Sequence, residues 1–205
     1  MTKLWYVSRK NLKFELLPHF AIAAVILLAI PLIFSLNDLD RWMAASPLEK
    51  IAVLIGPVIL IPLFLPEQDK TVADVMYTKQ TPPVYVYLIR MIYSIIIVFL
   101  LSAILPAVMY GLNSEVTMVH YISMAGSAIF LGGMGIFIYA LSSNVAASYM
   151  VPAIWYVLCL ASGPKYKAFD IMMLSHGKIE YKWIQLIVGL ILIVGAVVIR
   201  SARKK

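Results

Sequence analysis

Charge is scarce in this sequence. Only 13% of its 205 residues are Asp, Glu, Lys or Arg, while 62% are hydrophobic. A water-soluble domain is about 25% charged and about 45–50% apolar, so an ordinary soluble surface is excluded. Disorder is excluded as well, because it needs low hydrophobicity and high charge. Cysteine is nearly absent. The single Cys159 has no partner in the chain, which rules out a disulfide scaffold. Catalytic signatures are also missing. The Gly177-Lys178 pair lacks the rest of a G-x-x-x-x-G-K-[ST] phosphate loop. There is no H-E-x-x-H and no G-x-S-x-G, and His19, His120 and His176 lie far apart. The aromatic and basic interleaving of a nucleic-acid binder is not found either.

What the sequence does contain is long apolar runs. A hydrocarbon core of about 30 Å needs roughly 20 apolar helical residues, and six stretches meet or approach that length. They are 16–36, a second stretch ending at 65, then 91–111, 121–142, 146–162 and 183–199. The second has only 15 apolar residues, 51–65, but Ser46-Pro47-Leu48-Glu49 precedes it. Ser as cap, Pro at the first helical position and Glu three residues on form a capping box. The helix is therefore expected to begin near Pro47, with Glu49 and Lys50 at the interface. The fifth stretch contains Pro152 and is short, so a re-entrant course is the alternative there. The fold class is all-α, one polytopic membrane domain over 1–205. No signal peptide is expected, since the first apolar run is too long and lacks a close cleavage site. Residues 1–15 place Trp5, Tyr6, Leu12 and Phe14 among Arg9, Lys10 and Lys13. That pattern predicts an interfacial helix lying on the membrane; a solvated basic tail is the other reading.

The net charge of +7 points to anionic lipid headgroups at one face. With six spans both termini share a side, which holds Lys3, Arg9, Lys10, Lys13, Lys70, Lys79, Arg90, Arg200, Arg203, Lys204 and Lys205. The other side holds Arg41, Lys50, Lys165, Lys167, Lys178 and Lys182. The larger set marks the cytoplasmic side, so both termini are expected there, in the cell membrane.

Three segments stand out. In 67–83, Thr71 caps a helix whose Asp74 stands three residues on, and Val72, Val75 and Met76 form one apolar face. Pro82 and Pro83 stop it, and Pro83 opens the next helix. This is a short capped helix between spans two and three; a plain cover of the bundle base is the other reading. In the fourth span Ala125, Ala128, Gly132 and Gly135 give one face made of small residues. Small faces allow close helix approach, within the chain or against a second subunit. The stretch 163–182 has an apolar block, Phe169, Ile171, Met172, Met173 and Leu174, between Lys165, Lys167, Lys178, Glu180 and Lys182. It is too short to span and too apolar for a free loop, so a re-entrant or interfacial helix is expected, its basic rim anchoring to lipid or meeting an anionic substrate. No span places an acid or base near its middle, which disfavours a transporter driven by its own ion gradient. His19 and His120 read as satisfied interfacial histidines, and Cys159 as a packing residue.

The order of these parts resembles the membrane subunit of the type-2 family of ATP-binding-cassette exporters. Phe64-Leu65-Pro66-Glu67 resembles the glutamate-bearing entry to that family's coupling segment. The stretch from Val72 to the Pro82-Pro83 turn is similar to the coupling helix, and Tyr87-Leu88-Ile89-Arg90 to the basic start of the third span. Gln68, Asp69 and Lys70 stand where the family often has a glycine. The resemblance implies that Glu67, Thr71, Val72, Asp74, Val75, Met76 and Lys79 contact a separate cytoplasmic ATPase. It also implies that ATP and Mg bind that partner, with no cofactor or metal on this chain. A second permease chain, homo- or heteromeric, is implied too. The chain itself would not be an enzyme. Small members resemble exporters of drugs and antimicrobial peptides or immunity proteins against such peptides. Two other classes compete: a substrate-binding membrane subunit of an energy-coupling-factor importer, which needs a polar outward pocket, and an intramembrane enzyme, which needs acids, histidines or a nucleophile at shared depth.

Overall fold

The computed structural model describes residues 17–68, 83–177 and 182–202. All regular elements among these residues are helical, with no strand. Helix α1 spans Leu17–Ile33, α2 Arg41–Lys50 and α3 Ile55–Leu60, followed by a 3₁₀ stretch Ile61–Gln68. Helix α4 is Pro83–Gly111, α5 Met118–Ser142, α6 Val145–Ser162 and α7 Lys182–Ala202. Five stretches are long and apolar enough to cross a membrane: Arg41–Phe64, Tyr85–Gly111, Met118–Ser142, Val145–Ser162 and Lys182–Ala202. The apolar α1 is shorter, at 17 residues. The expected interfacial helix over 1–15 lies outside the described residues, as do Thr71, Val72, Asp74, Val75, Met76 and Lys79.

The second span departs from the sequence expectation at its start. The helix does not begin at Pro47. It begins at Arg41, where the Asp40 carboxylate accepts the Met43 amide at 3.2 Å. Pro47 sits inside α2 and Glu49 is buried, not interfacial. Two caps competed, and the one ten residues ahead of the apolar run won. The span then alternates between α and 3₁₀ turns through Ala52–Leu54, α3 and Ile61–Gln68. Prolines at 47, 57, 62 and 66 explain this, because each lacks an N–H and interrupts the i to i−4 ladder.

Helix α5 is the centre of the bundle. It is 78% buried along its apolar window, against 17% for α6 at the rim. Two narrow faces place it there. On one, a Cβ at Gly132 would lie 2.8 Å from the Gly56 carbonyl oxygen, and one at Gly135 would lie 2.5 Å from Ile61 Cδ1. Ala125 and Ala128 are fully buried on this side. This small face therefore packs on the second span of the same chain. The other face was not picked out from the sequence. Here a Cβ at Gly133 would lie 2.6 Å from the Gly189 carbonyl oxygen, and one at Gly189 would lie 2.7 Å from the Phe130 amide nitrogen. Backbones touch where lipid offers no hydrophobic drive for association. Gly189→Ala is expected to destabilise the fold by about 1–3 kcal/mol, because the new methyl meets backbone that cannot step aside. At Gly111 a Cβ meets nothing within 4 Å, so Gly111→Ala is the neutral control. Unfolding of both variants in detergent, followed by circular dichroism against temperature, measures the difference.

Candidate functional site: a buried polar clasp

One end of the bundle carries the loop 34–40, the loop 112–117 and a cap formed by 163–177. The first two are zipped together: Glu115 N donates to Leu39 O at 2.9 Å, and Ser114 Oγ donates to Leu36 O at 2.7 Å. His120 closes the start of α5, with Nδ1 accepting the Thr117 amide at 3.1 Å and Nε2 2.8 Å from the Arg41 carbonyl. It serves as a cap in a buried setting.

The cap is not the α-helix expected from its apolar block. It is a 3₁₀ turn, Pro164–Phe169, followed by a chain of turns to Gly177. Ile171, Met172, Met173 and Leu174 are buried, while Phe169 remains exposed. The cap therefore dips into the bundle with only 3₁₀ and turn bonds for its backbone, and among apolar helices the remaining carbonyls must find partners. Side chains from the surrounding spans supply them. Trp155 Nε1 of α6 donates to Phe169 O at 3.2 Å. Gln185 Nε2 of α7 donates to Ala168 O at 3.1 Å and Asp170 O at 2.6 Å. Lys182 Nζ donates to Ile171 O at 2.6 Å.

The charged centre is Glu49 with Lys182, 2.7 Å apart and 0% and 2% exposed. Lys182 was expected in the basic rim of the exterior stretch, and Glu49 at an interface. Both are instead inside the protein. Glu49 is the ninth residue of the Arg41–Phe64 span, about 12 Å along it at 1.5 Å per residue. Its Oε1 also accepts Ser123 Oγ at 3.0 Å and Leu174 N at 3.0 Å. Its Oε2 accepts the Ser175 amide at 2.8 Å and Ser175 Oγ at 2.7 Å. Lys182 uses its remaining proton on Ser127 Oγ at 3.2 Å, and Ser127 Oγ donates to Gln185 Oε1 at 2.7 Å. The clasp thus joins α2, α5, α7 and the cap. Tyr156 of α6 adds a hydroxyl bond to the Lys50 carbonyl. Cys159 Sγ is buried under the cap, 3.9 Å from Phe169 O, and is free.

Chemically this is a proton-rich hydrogen-bond network built to hold two elements together. Among the described residues no group of three or more His, Cys, Asp or Glu is placed to hold a metal ion. Spacing carried a weak signal for the clasp. Ser123 and Ser127 are four apart on α5, and Lys182 and Gln185 three apart on α7, so each pair shares a helix face. The ion pair itself joins residues distant in sequence, which no local pattern reveals.

A second cluster lies at the opposite end of the bundle. Arg90 Nη1 of α4 donates to Leu63 O at 3.2 Å. Phe64 meets Tyr87 edge-on at 5.2 Å and stacks with Tyr139 at 5.9 Å. Arg200 lies 5.5 Å above the Tyr139 ring and donates to Ser143 Oγ at 2.8 Å. Glu67 falls in the 3₁₀ stretch just beyond this joint. No family model, no curated protein and no solved structure matches the chain.

Removing one member of a buried ion pair strands the other charge and typically costs about 3–5 kcal/mol. Glu49→Ala is expected to fall in that range, since Lys182 would keep only two neutral acceptors. Lys182→Met is expected to cost less, because Glu49 retains four donors. Thermal unfolding of the two variants in detergent ranks them; equal stability of Glu49→Ala and the parent chain would contradict the clasp.

Proposed function

We propose that this chain is the permease subunit of a type-2 ATP-binding-cassette exporter, moving a small amphipathic compound or peptide with energy from a separate ATPase. In this reading α1 is the first of six spans, both termini are cytoplasmic, and the cap 163–177 lies outside. The cytoplasmic segment 67–83 is the coupling segment. The supporting observation is the joint at the base. The two elements that bracket 69–82 are tied to each other by the Arg90–Leu63 hydrogen bond and the Phe64–Tyr87 contact. A push on the intervening segment reaches the second and third spans as one body. Helix α4 also has 29 residues, about 43 Å at 1.5 Å per residue. That is more than about 30 Å of hydrocarbon needs, so the surplus can project toward the ATPase.

The second permease chain fits on the lipid-facing apolar surface of α1 and α6, where Leu28, Leu32, Met150, Ile154 and Val157 are exposed. The small face of α5 is occupied within the chain and serves no subunit contact.

If Val75 and Met76 seat the coupling helix on the ATPase, each contributes roughly 1.5–3 kcal/mol of burial. The Val75→Asp, Met76→Asp double variant is expected to lose the ATPase in a detergent pull-down while keeping its membrane level. Arg90→Ala is expected to retain the ATPase but lose the stimulation of ATP turnover by cargo. Normal pull-down and normal turnover in the double variant would refute the coupling role.

A further inference from the structure

We propose that Asp170 is a proton-binding site, and that a proton held there keeps the cap 163–177 seated in the bundle. Asp170 is fully buried. Its Oδ1 accepts the Met172 amide at 2.9 Å, and its Oδ2 is enclosed without a hydrogen-bond partner. Its own carbonyl is held by Gln185, and the next carbonyl, of Ile171, by Lys182. An ionised carboxylate oxygen in that position has no donor among the described residues and no exposed surface. A carboxylic acid needs far less solvation.

The charged groups around it come from several elements and act in both directions. Helix α7 brings the Lys182 ammonium, α2 the Glu49 carboxylate, α6 the Cys159 thiol, and the cap itself His176. Helix α5 adds only the neutral hydroxyls of Ser123 and Ser127 to the network. Lys182 is already matched by Glu49 at 2.7 Å. A neutral Asp170 leaves the buried pair balanced, and an ionised one adds a second buried carboxylate beside Glu49. Burial is the largest influence and raises its carboxyl above the ordinary 3.8. The Met172 amide, His176 and Lys182 oppose this, and Glu49 adds to it.

A carboxyl that is raised in the closed state binds its proton more tightly there than in the open state. Seating is therefore complete below the ordinary carboxyl value and is lost as pH rises through the raised one. The step is simple: the Oδ2–H bond breaks, the proton passes to water, and the cap exchanges its buried carboxylate for a solvated one. This inference does not depend on the export reading, and its test needs no ATPase.

Cys159 is the natural reporter, being the only cysteine in the sequence and lying beneath Phe169. The full chain in lipid nanodiscs is labelled with a methanethiosulfonate reagent over a series from pH 4 to about pH 9, beside the Asp170→Asn variant. Asparagine keeps the shape and stays neutral. The ratio of the two rates at each pH divides out the rise in thiolate that both chains share, and an ionised Asp170 acts on the Cys159 thiol only in the parent chain. The expected ratio is near one at the acid end and tenfold or more at the alkaline end. A ratio that stays constant across the series overturns the proposal. Should Asp170→Asn fail to fold, the wild type labelled with carbon-13 aspartate decides by infrared spectroscopy. A protonated-aspartate band must persist above the pH at which exposed aspartates have lost theirs; its absence overturns the site.

Discussion

A non-helical segment among apolar helices must have every backbone polar group matched, and that constraint organises this protein. The cap 163–177 has only a short 3₁₀ turn and isolated turn bonds of its own. Consecutive carbonyls from Ala168 to Ile171 are instead taken up by Gln185, Trp155 and Lys182. Once Lys182 is drawn inside to serve Ile171, its charge requires a counter-ion, and Glu49 is that counter-ion. Once Glu49 is inside, its other lone pairs require donors, which Ser123 and the amides of Leu174 and Ser175 provide. Each polar group is there because the previous one is. Truncating one therefore strands its neighbours, and the cost exceeds that of a single hydrogen bond.

Glycine makes this clasp possible. Ser123 and Ser127 reach both partners only because α5 approaches the second span through Gly56 and Gly132, and α7 through Gly133 and Gly189. Larger residues there would push the three elements apart, and the serine hydrogen bonds of 2.7–3.2 Å would no longer close. Close backbone packing and the buried ion pair are thus one design. The outer helix α6 takes part through Trp155 and Tyr156, while most of its surface remains exposed.

Much of this architecture was legible in the sequence. The apolar runs located the helices 91–111, 121–142, 146–162 and 183–199 closely, because burial in an apolar medium is written as composition. The small residues of α5 signalled a close approach correctly in kind. What was illegible followed from competition and distance. Ser46-Pro47-Leu48-Glu49 is a sound helix start, yet Asp40 offers another one six residues before Ser46, and local rules do not rank the two. That shift carried Glu49 from an expected interface to the core. Lys182 looked like one of several rim lysines, because nothing local distinguishes a lysine whose partner stands in another helix. The cap was expected to be helical from its apolar block, but side chains of α6 and α7 satisfy its backbone more completely than its own short ladder would.

The clasp and the base joint share the same three elements. The second span has Glu49 near one end and Leu63 and Phe64 near the other. Helix α5 has Ser123 and Ser127 at the cap end and Tyr139 at the base, and α7 has Lys182 and Arg200 in the same relation. From Lys182 to Arg200 is about 27 Å at 1.5 Å per residue. Helices locked side by side by glycine contacts resist bending, so a displacement at the Phe64–Tyr139 stack can reach the cap only by tilting or sliding one element against another. The Glu49–Lys182 contact lies across such a boundary, between the second span and α7. An ion pair of 2.7 Å in an enclosed setting is weakly screened, so its attraction depends directly on that separation. A slide of the second span against α7 would lengthen this contact directly, whereas hydrogen bonds within one helix would be left as they are.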